Sequence, residues 1–132
     1  GTQVLQKIKK NLNSFTASAW EEMCRKSVPD IFQSREFKPA FRWWGNGLDR
    51  NPREIDVIAV SGDKKTLLVG ESKWAEKPDI EEEVFILLNK VKNLPFTSGK
   101  KILPVLFLKN KPKFSPPGVL IFDPEDVVGA MK

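Results

Sequence analysis

Apolar positions along this chain switch between two periods. Near the start, Val4, Leu5, Ile8, Leu12 and Phe15 recur at three and four, which predicts a helix with Lys7, Lys9 and Lys10 on or near its other side. Trp20, Met23 and Cys24 repeat that spacing and predict a second helix over Ala17 to Lys26, or one bent helix with the first. Pro29 is expected to end the pattern, because proline biases its predecessor away from the α region. Ile31 to Glu36 reads as a link or short helix. The period then shortens. Ala40 to Trp44, Arg53 to Val60 and Leu67 to Trp74 read as strands, the last two joined by a turn over Ser61 to Lys65. Asp79 to Asn93 returns to helical spacing. Val84, Leu87, Leu88 and Val91 form its apolar stripe, Asp79 is the N-cap, and Glu82 stands in the capping-box position.

Lys101 to Leu108 is densely apolar and predicts a strand covered on both faces, although Pro104 argues against a fully hydrogen-bonded interior place. Pro117 to Asp123 is a last strand, and Pro124 opens a final short helix. The order is helix or helices, three strands, helix, strand, strand, helix. A helix between the third and fourth strands can cross over and set them parallel. The expected fold is α/β, a small mixed sheet flanked by helices.

The hairpin spoils its own apolar runs. Glu54 and Asp56 are two apart on one strand, Glu71 and Lys73 two apart on the next, so each pair shares a face. Antiparallel pairing brings the charged ends together. Carboxylates this close raise one another's pKa, and a hard divalent cation with oxygen ligands relieves the repulsion. An Asp, a Glu and a Lys around Mg²⁺ can polarise a phosphodiester and activate water. A hairpin whose Lys simply pairs with its Glu is the plainer alternative.

Composition narrows the chemistry. The chain has 132 residues, 40% hydrophobic, enough for one domain with a real core. It has no histidine and one cysteine, Cys24. Nucleophilic triads that need histidine, imidazole zinc sites and an internal disulfide are excluded within it. A single cysteine makes a cytoplasmic location the default, and no apolar run reaches the length of a membrane span. The net charge of +5 suits a polyanionic partner. Arg42, Arg50 and Arg53 cluster around the loop over residues 45–52 and are candidates to grip phosphate. Lys109 and Lys111, in a basic loop, are further candidates, or a solubilising turn. Arg42 lies among Phe41, Trp43 and Trp44. Those rings are expected to be mostly core, the alternative being exposed rings that stack on bases. The leading Gly1-Thr2, without Met, suggests a domain excised from a longer chain.

Order and residues together resemble the PD-(D/E)XK nuclease superfamily, the restriction-endonuclease-like fold. The likeness rests on Asp56 on the second strand and Glu71-Ser72-Lys73 on the third. Within it, Trp20-Glu21-Glu22-Met23-Cys24, Glu54 to Ala59 and Gly70 to Trp74 resemble the nuclease-like C-terminal domain of archaeal and bacterial AAA-type ATPases. The proline of the superfamily label is absent, Ile55 standing before Asp56. The resemblance implies a Mg²⁺- or Mn²⁺-dependent deoxyribonuclease. Asp56, Glu71 and the Ser72 carbonyl would bind metal, and Lys73 would stabilise the phosphate or orient water. A helical glutamate, Glu21 or its neighbour Glu22, would join them. It implies DNA as partner, an ATPase part elsewhere in the full-length chain, and room for a homo-oligomer. The alternative is a catalytically silent domain that binds DNA or protein for that ATPase.

Overall fold

The computed structural model describes residues 17–131. The helix expected over Val4 to Phe15 lies outside them. The first described element, α1 (Ala17–Ile31), is followed by a 3₁₀ turn, Gln33–Arg35, and then by β1 (Phe41–Asn46), β2 (Pro52–Val60) and β3 (Thr66–Lys73). After these come α2 (Ile80–Lys92), β4 (Lys101–Leu108), β5 (Leu120–Phe122) and α3 (Pro124–Ala130). The five strands lie in chain order in one mixed sheet. β1, β2 and β3 are antiparallel neighbours, while β4 runs parallel to β3 and β5 parallel to β4. The expected α/β architecture, with its parallel crossover through α2, is what the chain adopts.

Each face of the sheet buries its own cluster. Trp20, Cys24 and Val28 of α1 and Val127 of α3 pack against Val57, Ala59, Leu68, Val105 and Phe107. Leu87 of α2 packs against Ile55, Ile58, Leu67, Val69, Leu106 and Leu108 on the other face. Trp20 also donates its indole N–H to the Phe107 carbonyl at 3.3 Å, so the largest ring of this layer is satisfied as well as buried.

Three local readings need correction. Pro29 does not end α1, which runs on to Ile31. Proline removes only its own N–H, and this close to the helix end one lost bond is tolerated, with Phe32 N–H still reaching the Val28 carbonyl at 3.2 Å. Leu88 is not core: it is 43% exposed, and Leu87 is the fully buried residue of α2. Leu87→Ala is therefore expected to cost about 2–5 kcal/mol in chemical denaturation, and Leu88→Ala well under half of that. The aromatic run divides. Phe37 is buried and Trp43 packs edge-on to Phe96, but Phe41 and Trp44 stand out in solvent. Pro104 is accommodated because β5 pairs only with Val105 to Phe107, leaving Pro104 where β4 has a single neighbour.

One irregularity sets up the site. Phe41 pairs with Ile58 but Trp43 with Ile55, so β2 carries one extra residue across this step. Ile55 and Ile58 thereby enter the α2-side cluster while Val57 and Ala59 enter the other. Such a bulge re-aims the side chains around it, here Asp56.

Candidate active site

The β2–β3 ladder ends at Val57 opposite Gly70. Beyond that pair each strand's orphaned N–H is taken by a carboxylate of the other. Asp56 N–H donates to Glu71 Oε2 at 3.3 Å, and Ser72 N–H donates to Asp56 Oδ2 at 2.9 Å. The Ser72 hydroxyl adds a second bond to Asp56 Oδ2 at 3.2 Å. Asp56 and Glu71 thus converge where the strands part, as the hairpin pattern anticipates.

They approach from different layers. Asp56 belongs to the α1 side: Arg25 donates to its carbonyl at 3.1 Å, and its charge helps raise the Cys24 thiol. Burial is the larger cause of that rise and leaves Cys24 an inert core residue. Glu71 belongs to the α2 side, where the Lys90 ammonium of α2 bonds its Oε1. Burial pushes the Glu71 carboxyl up from its ordinary value to about 8. The neighbouring Asp56 adds to the rise, and Lys90 offsets it only in part.

Lys73 shares the α2-facing side with Glu71, as expected, yet it is not bonded to it. Its ammonium lies 3.7 Å from Glu83 of α2 and is half exposed. Glu21 rather than Glu22 turns toward Asp56. Glu21 is held by Arg25 at 2.8 Å and approached by Arg42 at 3.8 Å, whereas Glu22 is exposed and pairs with Lys26 one turn along. Lys90 is the participant that sequence reasoning missed. At the end of α2 its charge is fully explained by the helix dipole. A signal existed only in the pairing of α2 with β3, which a sequence pattern does not display.

The cations proposed to meet phosphate are mostly committed elsewhere. Arg42 pairs with Glu54 at 3.2 Å, Arg53 with Asp49, Lys109 with Glu76, and Lys111 with Asp126 at 2.8 Å. Arg50 alone of that set makes no ion pair among the described residues, in a left-handed backbone position with φ 65°. Exposed Trp44 lies beside Arg42, whose guanidinium is 6.0 Å from the ring centroid.

The donor set suits a hard cation. Two carboxylates and the Ser72 carbonyl are all oxygen, and a buried carboxyl with a raised pKa beside a second carboxylate gains from added positive charge. Among the described residues, no three or more His, Cys, Asp or Glu side chains gather as a ready-made metal cage. Water or substrate oxygens would complete the shell, as Mg²⁺ favours.

A family profile covering archaeal and bacterial proteins of unknown function, DUF234, matches residues 1–84, more than half of the chain. The chain belongs to the DUF234 family. The matched span holds Glu21, Asp56, Glu71 and Lys73, and it stops inside α2, six residues before Lys90. No curated protein matches the chain. Among the described residues of this DUF234 member, no helix is long and apolar enough to cross a membrane.

Proposed function

We propose that this domain hydrolyses phosphodiester bonds of DNA with the help of Mg²⁺ or Mn²⁺. The observation that carries the reading is the convergence of Asp56 and Glu71 at the splayed end of the hairpin. Two carboxylates held that close, one of them buried, form an electrostatic arrangement that a cation completes. Asp56, Glu71 and the Ser72 carbonyl would hold the ion. When bound, such an ion polarises the phosphodiester and lowers the pKa of a water. Lys73, half exposed beside Glu71, supplies positive charge to the phosphate as it gains negative charge in the transition state. Glu21, paired with Arg25 and approached by Arg42, would accept a hydrogen bond from water on the Asp56 side.

A second reading, a domain that binds DNA or a partner ATPase without turnover, draws on one specific observation. Lys90 already bonds Glu71. If that pair is permanent, no cation is needed for stability. Calorimetric titration separates the two readings. Mn²⁺ is expected to bind wild type with a heat signal that Asp56→Asn and Glu71→Gln each remove. Equal heats in wild type and the double variant would defeat the metal site and favour the binding-only reading.

A further inference from the structure

We propose a second site, at the opposite end of the sheet from Asp56 and Glu71, that binds the phosphate backbone of a nucleic-acid duplex. Three separate segments meet there. The stretch Arg35 to Lys38 is tied to the hairpin by Gly62 N–H to the Arg35 carbonyl at 3.4 Å and Lys38 N–H to the Val60 carbonyl at 3.0 Å. The segment entering β4 is tied to the hairpin turn by Lys101 N–H to the Lys65 carbonyl at 2.8 Å. The Lys100 ammonium donates to the Lys64 carbonyl at 2.7 Å, and Arg35 reaches the Thr66 hydroxyl at 3.5 Å. Six cations are thereby gathered: Arg35, Lys38, Lys64, Lys65, Lys100 and Lys101. Five of them are exposed and Lys100 is half-buried.

Their environment leaves them available. None of the six makes an ion pair among the described residues, whereas Arg25, Lys26, Arg42, Arg53, Lys73, Lys90, Lys109 and Lys111 all do. Only two carboxylates belong to the same segments, Glu36 and Asp63. Asp63 is spent on the turn itself. It accepts from the Ser61 hydroxyl at 2.6 Å and from Lys65 N–H at 2.9 Å, and these bonds hold it below the usual carboxylate range. Six cations against two carboxylates leave this end of the sheet with a local excess of four positive charges. Lys64 even occupies a left-handed backbone position, φ 63°, that glycine or asparagine would take more cheaply.

Uncompensated like charge costs stability, and a polyanion is what relieves it. The chemistry of the surroundings selects which one. Protein interfaces and membrane-surface helices both rely on apolar anchors. Among the described residues, Phe41 is the one large exposed apolar side chain near the patch, the others lying on β1 at Trp44, on Leu48, on α2 and toward the C-terminus. Compact ammonium charges without apolar anchors match a phosphate backbone. Thr66, at the patch, is five residues from Glu71 along β3, about 17 Å at strand rise. One duplex, with a helical turn of about 34 Å, can therefore touch both ends. The proposal does not depend on hydrolysis, because a domain that never cuts would keep this surface.

The test is fluorescence anisotropy of a labelled 30-base-pair DNA duplex across a salt series, using the full 132-residue chain. Lys64→Ala, Lys65→Ala, Lys100→Ala and Lys101→Ala combined are expected to weaken binding at least about tenfold at low salt. The log–log salt slope should become shallower by about 0.9 for each lysine that meets a phosphate. The same four positions changed to Arg should keep affinity and slope, and Lys109→Ala with Lys111→Ala should barely alter either. Lys64→Ala with Lys65→Ala, which leaves the Lys100 contact to the Lys64 carbonyl intact, gives a smaller change of the same sign. An unchanged slope in the quadruple variant overturns the proposal. So does wild type that binds phosphatidylserine vesicles but not the duplex at low salt. Failure here is distinct from failure of the metal site, which is read separately by the Mn²⁺ titration heats of Asp56→Asn and Glu71→Gln.

Discussion

Cleavage of supercoiled DNA in Mn²⁺ is expected to fall by about two to three orders of magnitude in Lys73→Ala, the scale of losing one transition-state hydrogen-bond donor. Duplex affinity should hardly change, since one phosphate contact among several adds little to ground-state binding. The structure supplies a control for this experiment. Two lysines, Lys73 and Lys90, serve the same face, but only Lys90 is bonded to Glu71. Lys90→Ala removes the charge that favours the ionised form of Glu71. Its defect should therefore be in metal requirement and pH, recovering as either is raised. The Lys73→Ala defect should recover with neither. Cleavage that is the same in wild type, Lys73→Ala and Glu71→Gln would betray a contaminating activity and sink the mechanism.

The second large effect is on stability. Burial first, and Asp56 second, raise the folded-state Glu71 carboxyl from 4.5 to about 8. Between those values the folded chain keeps a proton that the unfolded chain has released. Stability is therefore greatest below the unfolded value, declines as pH rises through the folded value, and levels off above it. Thermal melting in metal-free buffer should show this decline from pH 5 to 8.5. Glu71→Gln, which keeps shape and removes ionisation, should flatten it. Saturating Mn²⁺ should also flatten it in wild type, because a cation beside Glu71 favours the charged form. A wild-type profile as flat as that of Glu71→Gln would show that Glu71 does not titrate in this window.

The hairpin and its charged end are legible because strands alternate and because Asp56, Glu71 and Lys73 interrupt apolar runs. Those are local facts. The same holds for Asp79, whose carboxylate accepts from Glu82 N–H at 3.2 Å as its place before the helix predicts. Trp44 and Leu88 were harder to place. Each sits within an apolar run, but exposure depends on whether another layer lies above it, and neither strand nor helix period contains that information.

What the sequence determined by itself, then, is the element order, the mixed sheet that α2 makes possible, and the pair of carboxylates at one hairpin end. Periodicity and turn chemistry act over a few residues, and the chain writes them directly. Only the tertiary structure decided three things. The bulge in β2 turns Asp56 toward α1 while Glu71 faces α2. Packing of α2 on β3 gives Glu71 to Lys90 and Lys73 to Glu83. The meeting of residues 35–38, 62–65 and 99–101 concentrates charge that the sequence scatters over more than sixty positions. Each is a contact between residues far apart in the chain, and Coulomb and desolvation energies depend on distance in space, not on spacing in sequence.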